Sequence, residues 1–311
     1  MFTRAGFPDR LQSGPFTLDT AKDCLVSPGR LRHKEIVRIS RGIKSLDDAD
    51  VPLALLTRPF TQVTGYSAAS HATAFAIWEL PGFLPVRNDT LIHISRQFPH
   101  NIPRRHGVEG HRTKFRDDEV ECLDGLWITT RVRTWLDCAR RMTVDELVVV
   151  ADHLIRIPRP EFEGRSEAYA TLAELSQMLE RNKGTPGIQK ARAALTLARV
   201  GSDSAPETRL RLAVVYAGLP EPDINKNIPL ADGKSRQPDQ SYPEYRVAVE
   251  YDGGTHADPD QVIRDIRRQE DFAAAGWTEV RIAKNHMTDD ARAAVRKIRS
   301  ALFSRGWRPQ N

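Results

Sequence analysis

Three carboxylates flank a short turn in the last third of the chain: Asp239 before it, and Glu250 and Asp252 after it. Apolar and polar side chains alternate in the stretch that ends at Asp252, which predicts a strand with one buried face. A turn centred on residues 243–244 would place Asp239 opposite Ala248, and therefore on the face that carries the other two acids. Like charges on one face repel, and a divalent cation would convert this repulsion into binding. The pattern therefore predicts a metal site at Asp239 and Glu250.

The segments on either side predict the elements that hold these acids. A helix is predicted from Pro206 to Tyr216, because Gly218 and Pro220 supply the usual helix stop. Periodicity then predicts a strand over 223–230, the two hairpin strands, a helix over 259–275 and a strand over 278–284. The order is helix, three strands, helix, strand and helix.

An ordered set of motifs runs through these elements: Glu207, Arg236-x-x-Asp239, Val249-Glu-Tyr-Asp-Gly253, His256, Asp265-x-x-Arg268 and Gly276-Trp277. Over roughly residues 204–285 the set resembles the small bacterial branch of the PD-(D/E)XK nuclease superfamily that is related to very-short-patch-repair endonucleases. The resemblance implies an α/β fold with a C-terminal restriction-endonuclease-like mixed sheet flanked by helices. It also implies phosphodiester hydrolysis with Mg²⁺ or Mn²⁺ as the cofactor.

The same resemblance implies roles for individual residues. Asp239 and Glu250 would hold the metal, with help from Glu207 or Asp252. His256, on the loop beyond the strand, would assist proton transfer. Asp252 stands where the superfamily usually carries a lysine, although the small bacterial branch often has an acid there.

Structural alternatives remain open for several of these side chains. Ser204 and Glu207 have the spacing of a capping box, in which Glu207 reaches back to the N–H of Ser204. Asp252 precedes two glycines and could serve only to shape a turn. Arg268 and Asp265 are spaced as a surface ion pair on a helix.

The chain is mildly basic, with a net charge of +5 and a pI near 9.2. Six Lys or Arg side chains accompany one Glu between residues 30 and 44, and a second basic run extends from Arg292 to Arg308. Beside a nuclease-like segment these runs predict DNA as a partner, and the alternative is a solvated face. The predicted nucleic-acid-binding side chains are Arg30, Arg32, Lys34, Arg38, Arg236 and Arg268.

Composition and pattern divide the chain into four segments. Residues 1–50 form a basic segment that resembles the latter part of a winged-helix module with shortened first helices. Residues 51–160 form an α/β domain, residues 161–203 a helical connector, and residues 204–311 the endonuclease-like domain. The chain is therefore predicted to be multidomain.

The second segment carries a further resemblance. A succession of motifs resembles the C-terminal domain of type IV abortive-infection antitoxins: Ser67-Ala-Ala, Trp78-Glu-Leu-Pro81, Gly110-His-Arg112, Ile128-Thr-Thr130, Arg133-Thr-Trp-Leu-Asp-Cys-Ala139 and Ala151-Asp-His-Leu154. This resemblance implies phage defence or a toxin–antitoxin system, with a toxin-like or defence-system protein as a partner.

Other residue types restrict the function classes. No apolar run is long enough to cross a bilayer and no signal-peptide core is present, so we expect a cytoplasmic protein. The three cysteines are widely spaced, which favours reduced structural thiols. Histidines such as His71, His93 and His111 lack ligand spacing and receive no role.

The leading prediction is a metal-dependent DNA endonuclease that acts in phage defence or DNA repair. The alternative is a non-catalytic, antitoxin-like DNA-binding regulator whose nuclease fold has lost its activity. The acids at Asp239 and Glu250 favour the enzyme, whereas the acid at Asp252 and the shortened N-terminal module favour the regulator.

Overall fold

A computed structural model describes residues 7–46, 51–86, 90–230, 233, 235–253 and 259–309, with side chains given from residue 267 onward in the helix that begins at Pro259. The fold is multidomain α/β with mixed sheets flanked by helices, as the sequence predicts. The chain divides into two compact units, Met1–Thr143 with Ala173–Arg192, and Val144–Leu172 with Ala193–Asn311. These units cut across the four segments of the sequence analysis, whose boundaries stay predictions. In the described ranges no helix is both long and apolar enough to span a bilayer.

The first unit begins with a small antiparallel sheet. Its strands are β1 (Phe16–Thr17), β2 (Ile36–Ser40) and β3 (Ile43–Leu46), in the order β1-β3-β2. Helices α1 (Asp9–Gln12) and α2 (Leu18–Asp23) contribute to a small core around Leu11, Phe16, Ala21 and Leu31. Both helices are short, as predicted for this segment.

A five-stranded mixed sheet forms the larger part of the first unit. Its strands are β4 (Ser67–Ala69), β5 (Ile92–Gln97), β6 (Val108–Thr113), β7 (Val120–Leu123) and β8 (Leu126–Thr129), in the order β6-β5-β4-β8-β7. The pairs β5–β6 and β4–β8 are parallel, and the others are antiparallel. Helices α3 (Leu53–Val63), α4 (His71–Ile77) and α5 (Arg131–Cys138) accompany the sheet.

The second unit begins with α6 (Val144–Ile155) and α7 (Pro160–Glu163). All but the first residue of α8 (Leu172–Arg181) belongs to the first unit, and α9 (Ile188–Leu197) crosses the boundary between the units after Arg192. In the second unit α6 packs against α10 (Ala205–Tyr216). Ion pairs reinforce this contact, because Arg211 lies 2.9 Å from Asp152 and Arg209 lies 2.8 Å from Glu146. The middle of α10 is therefore held against α6.

A four-stranded sheet forms the centre of the second unit. The remaining elements are β9 (Asp223–Ile224), β10 (Ile228–Pro229), β11 (Ser235–Arg236), β12 (Gln240–Tyr242), β13 (Val247–Asp252), α11 (Pro259–Ala274), β14 (Thr278–Ala283) and α12 (Thr288–Ser304). The sheet order is β14-β13-β12-β9, in which β14 is parallel to β13 and the other pairs are antiparallel. The predicted order of helix, three strands, helix, strand and helix is confirmed, with the two-stranded ribbon β10–β11 inserted.

The single strand predicted over 223–230 is wrong in detail. The chain forms β9 and β10 instead, and they belong to different sheets. Asn225 between them has a φ of 46°, in the left-handed region. Because an extended strand cannot pass through that conformation, β9 ends there.

The register of the β12–β13 hairpin also differs from the prediction. Ala248 pairs with Ser241, so extension of the register sets Asp239 opposite Glu250 rather than opposite Ala248. The turn lies one residue later than predicted because a 3₁₀ turn ends at Arg246 with a φ of 50°. The resulting shift of two residues leaves every side chain on its predicted face, and Asp239 still shares a face with Glu250.

Two apolar layers enclose the four-stranded sheet. Val249 packs with side chains of α10 and α12, and Ala248 packs with Phe272 of α11. Glu250 follows Ala248 by two residues and therefore lies on the α11 face of β13. The carboxylate of Glu250 thus lies on the same face of β13 as the apolar layer formed by Ala248 and Phe272.

Candidate functional site

The first acid of the site is Glu207, which lies in the first turn of α10 and is 7% exposed. Its carboxylate accepts hydrogen bonds from the backbone N–H of Asp203 at 2.9 Å and from the hydroxyl of Ser204 at 2.7 Å. The predicted bond to the N–H of Ser204 is therefore wrong by one residue. The Ser204 hydroxyl donates to the carboxylate and does not cap the helix, so the reciprocal box does not form.

Asp239 and Glu250 approach from neighbouring strands. Asp239 Oδ2 accepts a hydrogen bond of 2.6 Å from the backbone N–H of Tyr251 on β13. The next residue, Gln240, donates through its side chain to the backbone carbonyl of Glu207 at 2.9 Å. The hairpin is thereby tied to the start of α10. We call Glu207, Asp239 and Glu250 the acidic cluster.

Burial and the charge of Asp239 alter the ionisation of the two glutamates of the acidic cluster. Burial, and then the charge of Asp239, raise the pKa of Glu207 to about 7. The same two causes, in the same order, raise the pKa of Glu250 to about 7. Burial also raises the pKa of Asp239, against the opposing effect of the hydrogen bond from Tyr251. The cluster therefore disfavours full ionisation near neutral pH unless a cation is present.

The other predicted site residues occupy different surroundings. Asp252 is exposed at the end of β13. Arg268 lies 3.4 Å from Glu250 and 3.5 Å from Glu279, whereas Arg236 pairs with Asp271 at 2.6 Å. Both arginines thus have carboxylate partners within the unit. The predicted His256 and the side chain of Asp265 lie outside the described part of the chain.

The oxygen donors of the acidic cluster suit a hard cation. Among the described residues, the donor atoms of the acidic cluster do not come within 4.8 Å of one another as a group of three. Mg²⁺ does not require such a group, because it retains several waters and is commonly held by one or two carboxylates. The residues present therefore fit Mg²⁺ or Mn²⁺.

The predicted nucleic-acid-binding residues of the first unit differ in exposure. Arg32, Lys34 and Arg38 are exposed. Arg30 is half-buried, pairs with Glu35 at 2.8 Å and lies 4.2 Å from the centre of the Phe7 ring. Three of these four cations are thus available at the surface of the first unit.

A second group of ionisable side chains, which the sequence analysis left without a role, lies in the first unit. His93 of β5 and Glu109 and His111 of β6 bring one donor atom each within 4.8 Å of one another. The ring of His71 stacks on that of His111, with centroids 3.8 Å apart. We call His71, His93, Glu109 and His111 the histidine cluster.

The imidazoles of the histidine cluster favour the neutral form. Burial, followed by the charge of His93, lowers the pKa of His71 to about 3. Burial, followed by the charges of His71 and His93, lowers the pKa of His111 to about 3. The one sequence signal of this cluster is Glu109-x-His111, whose spacing places both side chains on one face of a strand.

Comparison with known proteins adds relatives but no function. No family model matches the chain. Two proteins of Mycobacterium tuberculosis, the uncharacterized proteins MT2308 and Rv2248, are each 26% identical to it over 264 residues, which is 85% of this chain and 89% of theirs. No solved structure matches the chain.

Proposed function

We propose that the protein is a metal-dependent DNA endonuclease whose active site is the acidic cluster. The observation that carries the proposal is the burial of Glu207, Asp239 and Glu250, with Asp239 close enough to both glutamates that its charge raises the pKa of each. Acids kept together against their repulsion are typical of functional sites. The resemblance to very-short-patch-repair endonucleases, based on the order of the motifs, supports the same assignment.

Asp239 and Glu250 are the side chains that would hold Mg²⁺ or Mn²⁺. The bound ion would polarise the scissile phosphate and lower the pKa of a bound water. Glu207 fixes the start of α10 through its bonds to Asp203 and Ser204, and its charge adds to the field at Asp239. Arg268, 3.4 Å from Glu250, restrains that carboxylate and supplies positive charge beside the phosphate.

Positive charge elsewhere supports DNA as the substrate. Arg38 is an exposed cation on β2, and Arg32 and Lys34 are exposed cations in the segment that leads into that strand. Contacts of such side chains with phosphates provide affinity that is independent of sequence and depends on salt. A role in phage defence or DNA repair, in the cytoplasm and with a defence-system partner, is part of this proposal.

The second candidate is an antitoxin-like DNA-binding regulator without catalysis. One observation favours it: Asp252, at the position where the superfamily usually carries lysine, is exposed at the strand end. An acid there cannot supply the positive charge that a lysine brings to the attacking water.

Cleavage of supercoiled plasmid DNA tests the proposal. Wild-type protein is expected to nick or cut the plasmid with Mg²⁺ or Mn²⁺ and to lose this activity with chelator. Glu250→Gln should reduce the rate by at least about 100-fold, since even residues that only support a metal ligand typically contribute about 10–100-fold.

Glu244→Gln is the matched control, because Glu244 is an exposed acid in the turn of the same hairpin. It should cleave as the wild type does. Cleavage that survives Glu250→Gln would assign the activity to another site. DNA binding without cleavage in wild-type protein supplied with either ion would support the regulator.

A further inference from the structure

A cavity of about 560 Å³ in the first unit is lined by the histidine cluster. His71 comes from the start of α4, His93 from β5, and Glu109 and His111 from β6. Arg133 and Asp137 of α5 complete this part of the lining. Three histidines and two carboxylates thus meet Arg133 at one cavity in the first unit, and Arg112, Arg140 and Arg141 also line it.

The parallel pairing of β5 and β6 brings the donors together. His93 pairs with Glu109, and paired residues of parallel strands point to the same face of the sheet. His111 follows Glu109 by two residues and therefore joins that face. His93 Nδ1 lies 3.0 Å from His111 Nε2, while the other ring nitrogen, Nε2, lies 3.7 Å from a carboxylate oxygen of Glu109. One ion would take only one of these two nitrogens, and with one donor atom from each residue the three donors lie within 4.8 Å of one another. Ligands of a tetrahedral zinc ion lie roughly 3.3 Å apart, so small side-chain adjustments would bring the three donors to one ion.

A fourth histidine, His71, packs against the donor His111 and is itself held by neighbouring hydroxyl groups. The His71 ring, stacked on His111, has its Nδ1 atom 3.0 Å from the hydroxyl of Ser70, which in turn contacts the hydroxyl of Ser95 at 2.7 Å. His71 has a φ of 49°, a left-handed conformation that is uncommon outside glycine and often occurs at functional sites. Metal ligands in proteins are usually oriented by an outer layer of this kind.

The nearby arginines do not prevent the binding of a cation. Arg133 is bonded to Asp137 and Glu119, and Arg141 lies 3.1 Å from Glu109. Arg133 therefore has two carboxylate partners of its own, whereas Arg141 would share Glu109 with a bound ion. The other two lining arginines, Arg112 and Arg140, are exposed, so solvent screens them.

We propose that His93, Glu109 and His111 bind one transition-metal ion of the zinc type, with a fourth coordination position open to the cavity. Two imidazoles and one carboxylate suit Zn²⁺ and its first-row neighbours, whereas Mg²⁺ prefers oxygen donors alone. Three protein ligands with an open position are also the usual arrangement at zinc ions that bind a further small ligand.

Equilibrium dialysis of the chelator-treated full chain against Zn²⁺, with metal quantified by mass spectrometry, tests the site. Wild type should retain one equivalent in addition to whatever the acidic cluster holds. His111→Ala and Glu109→Gln should each weaken this binding by about 100-fold or more, because loss of a ligand costs more than loss of an outer-layer residue. His106→Ala, which alters an exposed histidine of the same unit, is the matched control and should bind normally.

Glu250→Gln separates the two clusters, and it should retain the tightly bound zinc. Zinc that is lost in Glu250→Gln but kept in His111→Ala would overturn the proposal. A measurement on wild-type protein covers the case of a variant that fails to fold. Co²⁺ bound at the histidine cluster should give the intense visible absorption of a tetrahedral site. The weak spectrum of a six-coordinate oxygen site, or no bound metal, would also overturn the proposal.

Discussion

The histidine cluster and the acidic cluster both bury ionisable side chains, but they accommodate the burial differently. In the first unit the imidazoles become neutral, and the adjacent Arg133 is bonded to Asp137 and Glu119. In the second unit carboxylates lie close to one another, and the pKa of Glu207 and that of Glu250 rise to about 7. The charges of the first site are already balanced, whereas those of the second require protons or a metal ion.

This difference decides which cation each site suits. A neutral imidazole binds a transition metal without displacing a proton, and its rigid strand position limits the geometry. Carboxylates of raised pKa bind a hard cation in exchange for protons, so their affinity increases with pH. The two sites are therefore expected to respond to different metals and to different variants.

The largest effect is expected at the balanced charges beside the histidine cluster. Arg133 is 2% exposed, and Arg133→Met would leave the buried Asp137 without its ion-pair partner and Glu119 with Arg116 alone. Breaking a buried ion pair on one side typically costs about 3–5 kcal/mol of unfolding free energy. Urea denaturation followed by circular dichroism measures the loss.

Arg181→Met is the control for that variant, because Arg181 pairs with the exposed Asp118 at the surface. Surface pairs contribute about 0–1 kcal/mol, so this variant should unfold nearly as the wild type does. If Arg133→Met were equally mild, the charges of the first site would not be balanced in the way described.

A smaller effect, with a defined sign, is expected from Glu250→Gln as the pH changes. The pKa of Glu250 is about 7 in the folded protein, against an ordinary value of 4.5. Between these values the folded protein holds a proton that the unfolded chain has released, so the wild type loses stability as pH rises through this window. Glutamine cannot ionise. As the pH rises from 5 to 8, the unfolding free energy of Glu250→Gln should therefore increase relative to that of the wild type by up to about 3 kcal/mol.

Denaturation of both proteins in chelator at the two pH values gives this difference directly. Glu244→Gln serves as the reference, because Glu244 is exposed and its substitution should change the unfolding free energy equally at both pH values. A difference that is constant with pH for Glu250→Gln would mean that neither burial nor Asp239 raises the pKa of Glu250 in the folded protein.

The acidic site could be anticipated from the sequence because its signal is local. Asp239 and Glu250 lie on the two strands of one hairpin, and side chains alternate along a strand with a period of two. The register was wrong by two residues, since the conformation of Arg246 cannot be inferred from the residue type. The faces were nevertheless correct, because an even shift preserves them.

The histidine site could not be anticipated in the same way. His93 and His111 meet only because β5 and β6 pair in parallel, and no local pattern specifies which parallel strands become neighbours. The break of the strand after β9 has a similar origin, since it depends on one left-handed residue, Asn225. Sequence periodicity predicts which face a side chain occupies, whereas pairing between distant segments is decided by tertiary packing.

The smallest change in stability is expected at Asp252, and it distinguishes the two candidate functions. Asp252 is exposed, so Asp252→Asn should alter the unfolding free energy by no more than about 0.5 kcal/mol. In a working nuclease the same variant should keep its affinity for DNA and cleave more slowly.

Millimolar Mg²⁺ should also raise the melting temperature of the wild-type nuclease, because an ion bound only by the folded state stabilises it. In a non-catalytic regulator Asp252→Asn or Asp239→Asn would instead relieve repulsion and raise the melting temperature. Thermal melts with and without Mg²⁺ or Mn²⁺ decide between these outcomes, and the absence of any shift with either ion would rule out the catalytic assignment.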